Sequence, residues 1–302
     1  MNEGKATIDH VMDAIAKDTE LEVFVFFGGC PVDLLSSFAD ESSIGDFDIS
    51  IKGIEPKVME RYEAAVQGNG YVIRKARRQY IISRTVPVFT TYAAKGKTVI
   101  DANFMEDPKR VGLFNIDSLY LTFPDKKIVD LYGSLDGLAD KVIIPIQPLV
   151  NESPYFLAGR FIYISAKYGI SMVDMKNAGV AQAILKQMVD EPIDQRGEFN
   201  SFLSAVLKST LRSHDRIAYL RELAEIGILM PRLSELEMAI KQIARYSNRQ
   251  YVEKIGNPNE LVNFFASYLS PPLKGEFLEK IKPLYERVWE SDGRRLERIE
   301  YQ

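Results

Sequence analysis

Cysteine is almost missing from this 302-residue sequence. Cys30 stands alone, so no disulfide can form within the chain, and a reducing compartment fits. Its place beside two glycines suits a small packing residue. Histidine is nearly as scarce: His10 and His214 are the whole supply. That excludes a histidine-rich metal site and leaves almost no material for a Ser-His-Asp triad. His10 falls in an amphipathic stretch and His214 in a polar turn, both ordinary places for a surface histidine. No apolar run approaches the ~18 residues that a membrane-spanning helix needs. The opening stretch from Met1 to His10 is acidic and polar, without the apolar centre of a signal peptide. A cytoplasmic protein with no membrane partner is expected. Neither sign of charge dominates, since 38 Lys and Arg against 42 Asp and Glu leave a net charge of -4. No global attraction to nucleic acid follows, so an RNA site has to be a local basic patch. With sulfur and imidazole so rare, a metal site has to be built from carboxylates. Carboxylates favour hard ions such as magnesium or manganese.

What is present suffices for a real core, because 46% of the residues are hydrophobic, and the length suggests two or more domains. Ile8, Val11, Met12 and Ile15 share one face of a helix over 7–17. Val23 to Phe27 is a short apolar run that stops at Gly28-Gly29, as a buried strand feeding a glycine turn does. A short helix through Leu34 and Leu35 follows, then a polar connection from Ala39 to Gly45. Phe47, Ile49 and Ile51 alternate with Asp46, Asp48 and Ser50, the period of a half-buried strand. A helix over 56–67 comes next. Strands over 86–93 and 98–104 turn at Lys95-Gly96-Lys97. From about residue 150 the strand signals fade. Leu157, Phe161, Ile164 and Tyr168 recur at helical spacing, with Gly169 as a stop. Further helices are expected over 198–208, 215–226 and 234–246. Phe277, Ile281, Leu284 and Val288 form a last stripe that Pro283 kinks or restarts. The expectation is an α+β chain, with a mixed-sheet head over 1–148 and an all-helical remainder over 149–302.

The chemistry concentrates in Asp46-Phe47-Asp48. On a strand, residues two apart point to the same face. Both carboxylates then project together while Phe47 turns into the core. Like charges so close repel, and a divalent cation relieves the repulsion. Upstream, Gly28 and Gly29 let backbone N–H groups approach phosphate oxygens with no Cβ in the way. Asp101, in the strand-like run Val99 to Phe104, supplies a third acid if its strand lies beside the first pair. A three-carboxylate cluster can hold two ions ~4 Å apart, one activating an attacking hydroxyl and one steadying a leaving pyrophosphate. The residues leave an alternative open, in which Asp101 is a solvated acid at a strand end.

Phe27-Gly28-Gly29-Cys30-Pro31-Val32-Asp33-Leu34-Leu35, followed by Gly45-Asp46-Phe47-Asp48-Ile49, resembles the head of class II nucleotidyltransferases. These include the tRNA CCA-adding enzymes and bacterial poly(A) polymerases, with the pattern G-G-x-V-R-D-x-L-L and then D-x-D. Val99 to Phe104 is similar to the family strand I-E-V-A-T-F-R, which carries an acid. Phe114-Asn115-Ile116-Asp117-Ser118-Leu119-Tyr120 resembles F-T-I-N-A-L-Y. Ile128 to Leu138 follows I-I-D-P-F-G-G-L-E-D-L. Arg160 to Ile170 resembles the neck helix R-A-V-R-F-A-A-K-L-G-F, and Leu220 to Leu229 the body segment L-R-x-L-x-E-L-G-L-L. The resemblance runs, with gaps, from about 20 to 237. It implies a polymerase β-like head, a helical neck and body, and magnesium- or manganese-dependent transfer of NMP from an NTP such as ATP. The implied acceptor is an RNA or tRNA 3′ end. Asp46 and Asp48 would bind metal, with Asp101 as third ligand or as activator of the acceptor oxygen. Gly28, Gly29, Asp33, Asp117 and Arg160 would bind the nucleotide.

The departures have consequences of their own. Val32 stands in place of the motif's arginine, Val111-Gly112-Leu113 in place of R-R-D, Asp117 in place of the ribose-facing asparagine, and Met105 in place of the arginine of T-F-R. The base-selecting neck motif E-D-x-x-R reads Glu152-Ser153-Pro154-Tyr155-Phe156. Metal-binding acids are kept while charge partners of a triphosphate are lost. Because the neck motif is changed, altered nucleotide selection is expected. Lys109, Arg110 and Arg160 can substitute for the lost arginines or can be solvated charges. Lys75, Arg77 and Arg78 with Tyr80 can track a nucleic-acid backbone or guard a strand edge. Lys241 to Arg249, with Arg245 and Tyr246, is a second such run. Two alternatives to RNA extension stand beside it: nucleotidylation of a protein or small molecule, and a non-catalytic RNA- or partner-binding module.

Overall fold

The computed structural model describes residues 15, 24–26, 46–83, 86–96, 98–106, 112–123, 125, 127–146, 148–149, 152–190, 196–229, 234–246, 249–279 and 281. Most of the helix expected over 7–17 lies outside them. So do the glycine turn with Cys30 and Asp33, the helix through Leu34, Lys109, Arg110, and the end of the last stripe. The chain divides into two compact units, Met1–Ala139 and Asp140–Gln302.

The first unit is built on a seven-stranded sheet. Its strands are β1 (Phe24–Phe26), β2 (Asp46–Lys52), β3 (Val72–Ser83), β4 (Val86–Lys95), β5 (Thr98–Met105), β6 (Leu119–Phe123) and β7 (Lys127–Asp130). They lie in the order β3-β4-β5-β2-β1-β6-β7. Among the described strands only the β2–β5 pairing is parallel; the other neighbours run antiparallel. A parallel pair cannot be joined by a tight turn. Helix α1 (Pro56–Gly68) and the β3–β4 hairpin fill the crossover. Proline at the first turn of α1 begins the helix where a missing N–H does no harm.

Strand alternation decides which face is core. Phe47, Ile49 and Ile51 of β2 pair with Ile100, Ala102 and Phe104 of β5, and all six are buried. They form one cluster with Met59, Tyr62 and Val66 of α1 and with Ile15. The Tyr62 ring meets Phe104 edge-on at 5.4 Å between centroids, a preferred aromatic geometry. The Tyr62 hydroxyl is buried without a hydrogen-bond partner among the described residues. An unpartnered buried hydroxyl is destabilising by ~1–3 kcal/mol. Tyr62→Phe is therefore expected to leave stability unchanged or raise it by about 1 kcal/mol, read from the urea midpoint. A loss of that size would reveal a partner for the hydroxyl.

β3 is an edge strand, and the sequence pattern did not delimit it because a charged run interrupts its apolar alternation. Lys75, Arg77, Arg78 and Tyr80 therefore sit on a sheet edge, where charges discourage pairing with another chain. At the opposite edge the chain leaves β7 into α2 (Ser134–Asp140). Asp130 accepts from the backbone N–H groups of Ser134 (2.7 Å) and Leu135 (3.1 Å). That satisfies two of the donors a helix start leaves open. The Ser134 hydroxyl reaches back to the carbonyl of Asn115.

The second unit is helical in its described residues: α3 (Pro154–Tyr168), α4 (Met175–Asp190), α5 (Arg196–Arg212), α6 (Arg216–Ile226), α7 (Ser234–Tyr246), α8 (Arg249–Val252) and α9 (Pro258–Ser267). A further helix covers 271–279. In α3, Leu157, Phe161, Ile164 and Tyr168 are buried at their helical spacing. Ser153 caps its start, and Gly169 ends it in a left-handed conformation at φ 59°. The unit begins at Asp140, upstream of the expected 148/149 border. The buried Asn177 of α4 accounts for that: its amide donates to the carbonyls of Lys141 (3.0 Å) and Ser171 (2.8 Å), and its oxygen accepts from the Ile143 N–H (2.9 Å). The strand signals fade only from about residue 150, past Lys141 and Ile143, and a single buried asparagine is not legible as an anchor from sequence. No described helix is long and apolar enough to cross a membrane.

Candidate metal and nucleotide site

Two of the sequence-predicted acids are brought side by side by the parallel register. Asp48 of β2 pairs with Asp101 of β5. Paired positions in adjacent strands share a face and lie ~4.8 Å apart. Both acids are half-buried, on the face opposite the Phe47–Ile49–Ile51 core row. Asp46 opens β2, two residues before Asp48, and pairs with Val99. Among the described side chains, no three His, Cys, Asp or Glu converge as a metal site. The side chain of Asp46 lies outside that set, as do Gly28, Gly29 and Asp33.

The register adds residues that the sequence reading missed. Tyr92 of β4 pairs with Asp101 from the other side, so Tyr92, Asp101 and Asp48 form one row across three strands. Tyr92 is also half-buried. One step further along the strands the face closes: Thr90 (3% exposed), Asn103 (8%) and Ser50 (0%) form the next row. The Thr90 hydroxyl donates to Asn103 Oδ1 at 2.7 Å. An open acidic and aromatic row thus backs onto a closed polar one. Asn103 and Ser50 were findable, being two residues beyond Asp101 and Asp48 on the same face. Tyr92 follows from the hairpin expected between 86–93 and 98–104 once its exact register is known.

Like charges directly opposite on adjacent strands destabilise a sheet. The field of Asp101 reaches the far face as well. The buried Tyr62 phenol is pushed well above its usual range, first by burial and then by the negative charge of Asp101. Two partly buried carboxylates side by side are a hard-oxygen donor set that suits magnesium or manganese better than softer ions.

Asp117 has a task that the sequence reading did not give it. It is buried in a 3₁₀ turn, Asn115–Asp117, and its Oδ1 accepts from the backbone N–H groups of Leu113 (3.1 Å) and Phe114 (2.9 Å). Gly112, at φ 110°, completes the turn. A Cβ there would press on the Ser118 hydroxyl and stand 2.9 Å from the Asp117 carbonyl oxygen, in a backbone region that favours glycine. Asp117→Ala is expected to lower stability by ~1–2 kcal/mol, as loss of a helix-capping acceptor does. Asp117→Asn, which keeps an acceptor oxygen, should fall within about 0.5 kcal/mol of the parent in denaturant melts. Equal losses from both would show that the carboxylate charge, and not the acceptor, is what matters.

Arg160 belongs to the helical unit, on α3, with its guanidinium carbon 5.5 Å from the centre of the Tyr163 ring. Glu152, kept from the neck motif, is buried just before the same helix.

Compared with the known protein families the sequence matches none, and it matches no curated protein. The fold is similar to that of a solved tRNA-processing enzyme in an apo form. The TM-score is 0.58 and the sequence identity 17%, over 90% of this chain and 77% of that one. At that identity the likeness establishes a shared fold, an α+β unit followed by helices, and no more.

Proposed function

We propose that this protein is a divalent-metal-dependent nucleotidyltransferase that moves an NMP group from an NTP to the 3′ hydroxyl of an RNA, tRNA being the class favoured. The observation that carries the proposal is the Asp48–Asp101 pairing across β2 and β5, with Asp46 two residues upstream. The shared fold with a tRNA-processing enzyme supports the RNA acceptor.

In the reaction the acceptor oxygen forms a bond to the α-phosphorus, the bond from that phosphorus to the bridging oxygen breaks, and pyrophosphate leaves. Asp46, Asp48 and Asp101 would hold magnesium or manganese, which when bound supplies charge neutralisation for the phosphates and acidifies the acceptor hydroxyl. Asp101, flanked by Asp48 and Tyr92, would alternatively leave the metal to the other two acids, orient the acceptor oxygen and take its proton. Gly28 and Gly29 would seat the phosphates through backbone N–H groups. The closed row Ser50, Asn103 and Thr90 bounds the open row on one side. With only Glu152 kept from the base-selecting neck motif, nucleotide choice would differ from the ordinary C-then-A order.

The test incubates the purified chain with RNA, magnesium or manganese, and each labelled NTP in turn. Label at the RNA 3′ end that disappears with a chelator is the expected result. Intact-mass analysis of alternative acceptors separates RNA extension from nucleotidylation of a protein or small molecule. No label transfer together with no metal-dependent NTP binding sinks the proposal.

A further inference from the structure

Outside the acidic site, one tyrosine of the helical unit gathers three cations. Tyr163 is half-buried on α3. Arg212, exposed at the last residue of α5, donates from Nη1 to the Tyr163 hydroxyl at 2.6 Å, with its guanidinium carbon 5.3 Å from the ring centre. Arg160 lies 5.5 Å from the same centre and Lys167 5.8 Å. Lys167 also stands 5.2 Å from the Tyr168 ring. Arg160, Tyr163 and Lys167 share a face of α3 by their spacing of three and four, and α5 packs on α3.

Attraction between a cation and an aromatic face accounts for one such contact. It does not account for three. Like charges gathered around one ring lie within about a Debye length, ~8 Å at physiological salt, so their fields add. In a chain with net charge -4, this is a local positive focus. Its geometry suits a polyanion. Guanidinium groups present forked donors to phosphate oxygens, and an ammonium supplies a point charge beside them. Tyr163 has its hydroxyl engaged by Arg212 and its ring flanked by cations, which fits holding the guanidinium in place better than stacking a base.

We propose that Arg160, Lys167 and Arg212, with Arg212 aimed by Tyr163, grip the phosphodiester backbone of RNA on the helical unit. The proposal rests on the RNA-acceptor reading, but binding and transfer are measured separately. Arg212 is the binding residue to test, and Tyr163 is the positioning residue.

The experiment titrates the full-length protein with a fluorescently labelled single-stranded RNA, without metal or NTP, over a range of potassium chloride concentrations. Each phosphate contact contributes roughly 0.7 to the slope of log K against log salt for a single strand. Arg212→Gln is expected to weaken binding and flatten the slope by about that amount. Tyr163→Phe, which keeps every charge, should weaken binding with the slope unchanged. A merely structural role predicts a lower melting temperature with slope and affinity intact, and that result overturns the proposal. Should Arg212→Gln fail to fold, Lys167→Gln replaces it with the same expected flattening. Wild-type protein that binds no RNA at low salt also overturns the proposal, while leaving transfer to a small acceptor open. Binding of polyglutamate without RNA binding overturns it in favour of an acidic protein partner. RNA binding with the expected slopes but neither label transfer nor metal-dependent NTP binding leaves the grip standing and removes the catalytic reading.

Discussion

Asp48→Asn or Asp101→Asn is expected to reduce metal-dependent label transfer at least ~100-fold, the scale on which loss of one preorganised electrostatic group acts. Stability should move in the opposite direction. Asp48 and Asp101 are paired across β2 and β5, and relieving a cross-strand like-charge pair is worth ~0.2–1 kcal/mol. In chelator the asparagine variants should therefore melt at or slightly above the parent. On adding magnesium the order should reverse. A ligand that binds only the folded state stabilises it by about 1.4 kcal/mol at ten times its Kd, and the variants lose much of that gain. This crossing separates a metal site from a structural acid pair. A structural pair predicts a destabilised variant whose melting ignores magnesium. Activity retained in Asp48→Asn would end the catalytic reading whatever the melting curves show.

Phe104→Ala should produce the largest loss of stability, ~3–5 kcal/mol, as expected for removing a buried aromatic side chain. Phe104 is fully buried on β5, paired with Ile51 of β2 and packed edge-on against Tyr62 of α1. Its strand carries Asp101 three residues earlier, so transfer activity should fall with the folded fraction and recover at low temperature if the site reforms. Denaturant melts of Phe104→Ala and Phe104→Leu check the size of the effect. Leucine, which retains most of the apolar volume, should recover at least half of it. A loss below about 1 kcal/mol in Phe104→Ala would mean that the α1–sheet contact does not support β5.

The parts of the fold that were legible in the sequence have a clean periodicity. Phe47, Ile49 and Ile51 alternate and form a half-buried strand. Leu157, Phe161, Ile164 and Tyr168 repeat at helical spacing and are buried in α3. Ser234–Tyr246 came out with the bounds expected. Where charge or short length broke the pattern, elements went unseen. β3 carries Lys75, Arg77 and Arg78 through its middle, and α2 is a single short helix whose start depends on Asp130. The pairing of Asp48 with Asp101 could be stated from sequence only as a condition, since no local signal sets which strands are neighbours. Tyr92 depended on a different pairing, the β4–β5 hairpin, whose turn was legible in the sequence but whose exact register was not. Asp117 adds a task with no sequence signal: its Oδ1 accepts from the Leu113 and Phe114 N–H groups in a local turn.

The parallel β2–β5 pairing also governs how the site comes into being. Asp48 and Asp101 are far apart along the chain, with α1 and the β3–β4 hairpin between their strands. Closing so long a loop is slow compared with forming hairpins. The acid pair is therefore absent from any species in which the β3–β4–β5 meander has formed but its seam with β2 has not. Amide hydrogen exchange along that seam should slow when nucleotide and divalent ion bind, because the ligand then has to be released before the strands can part.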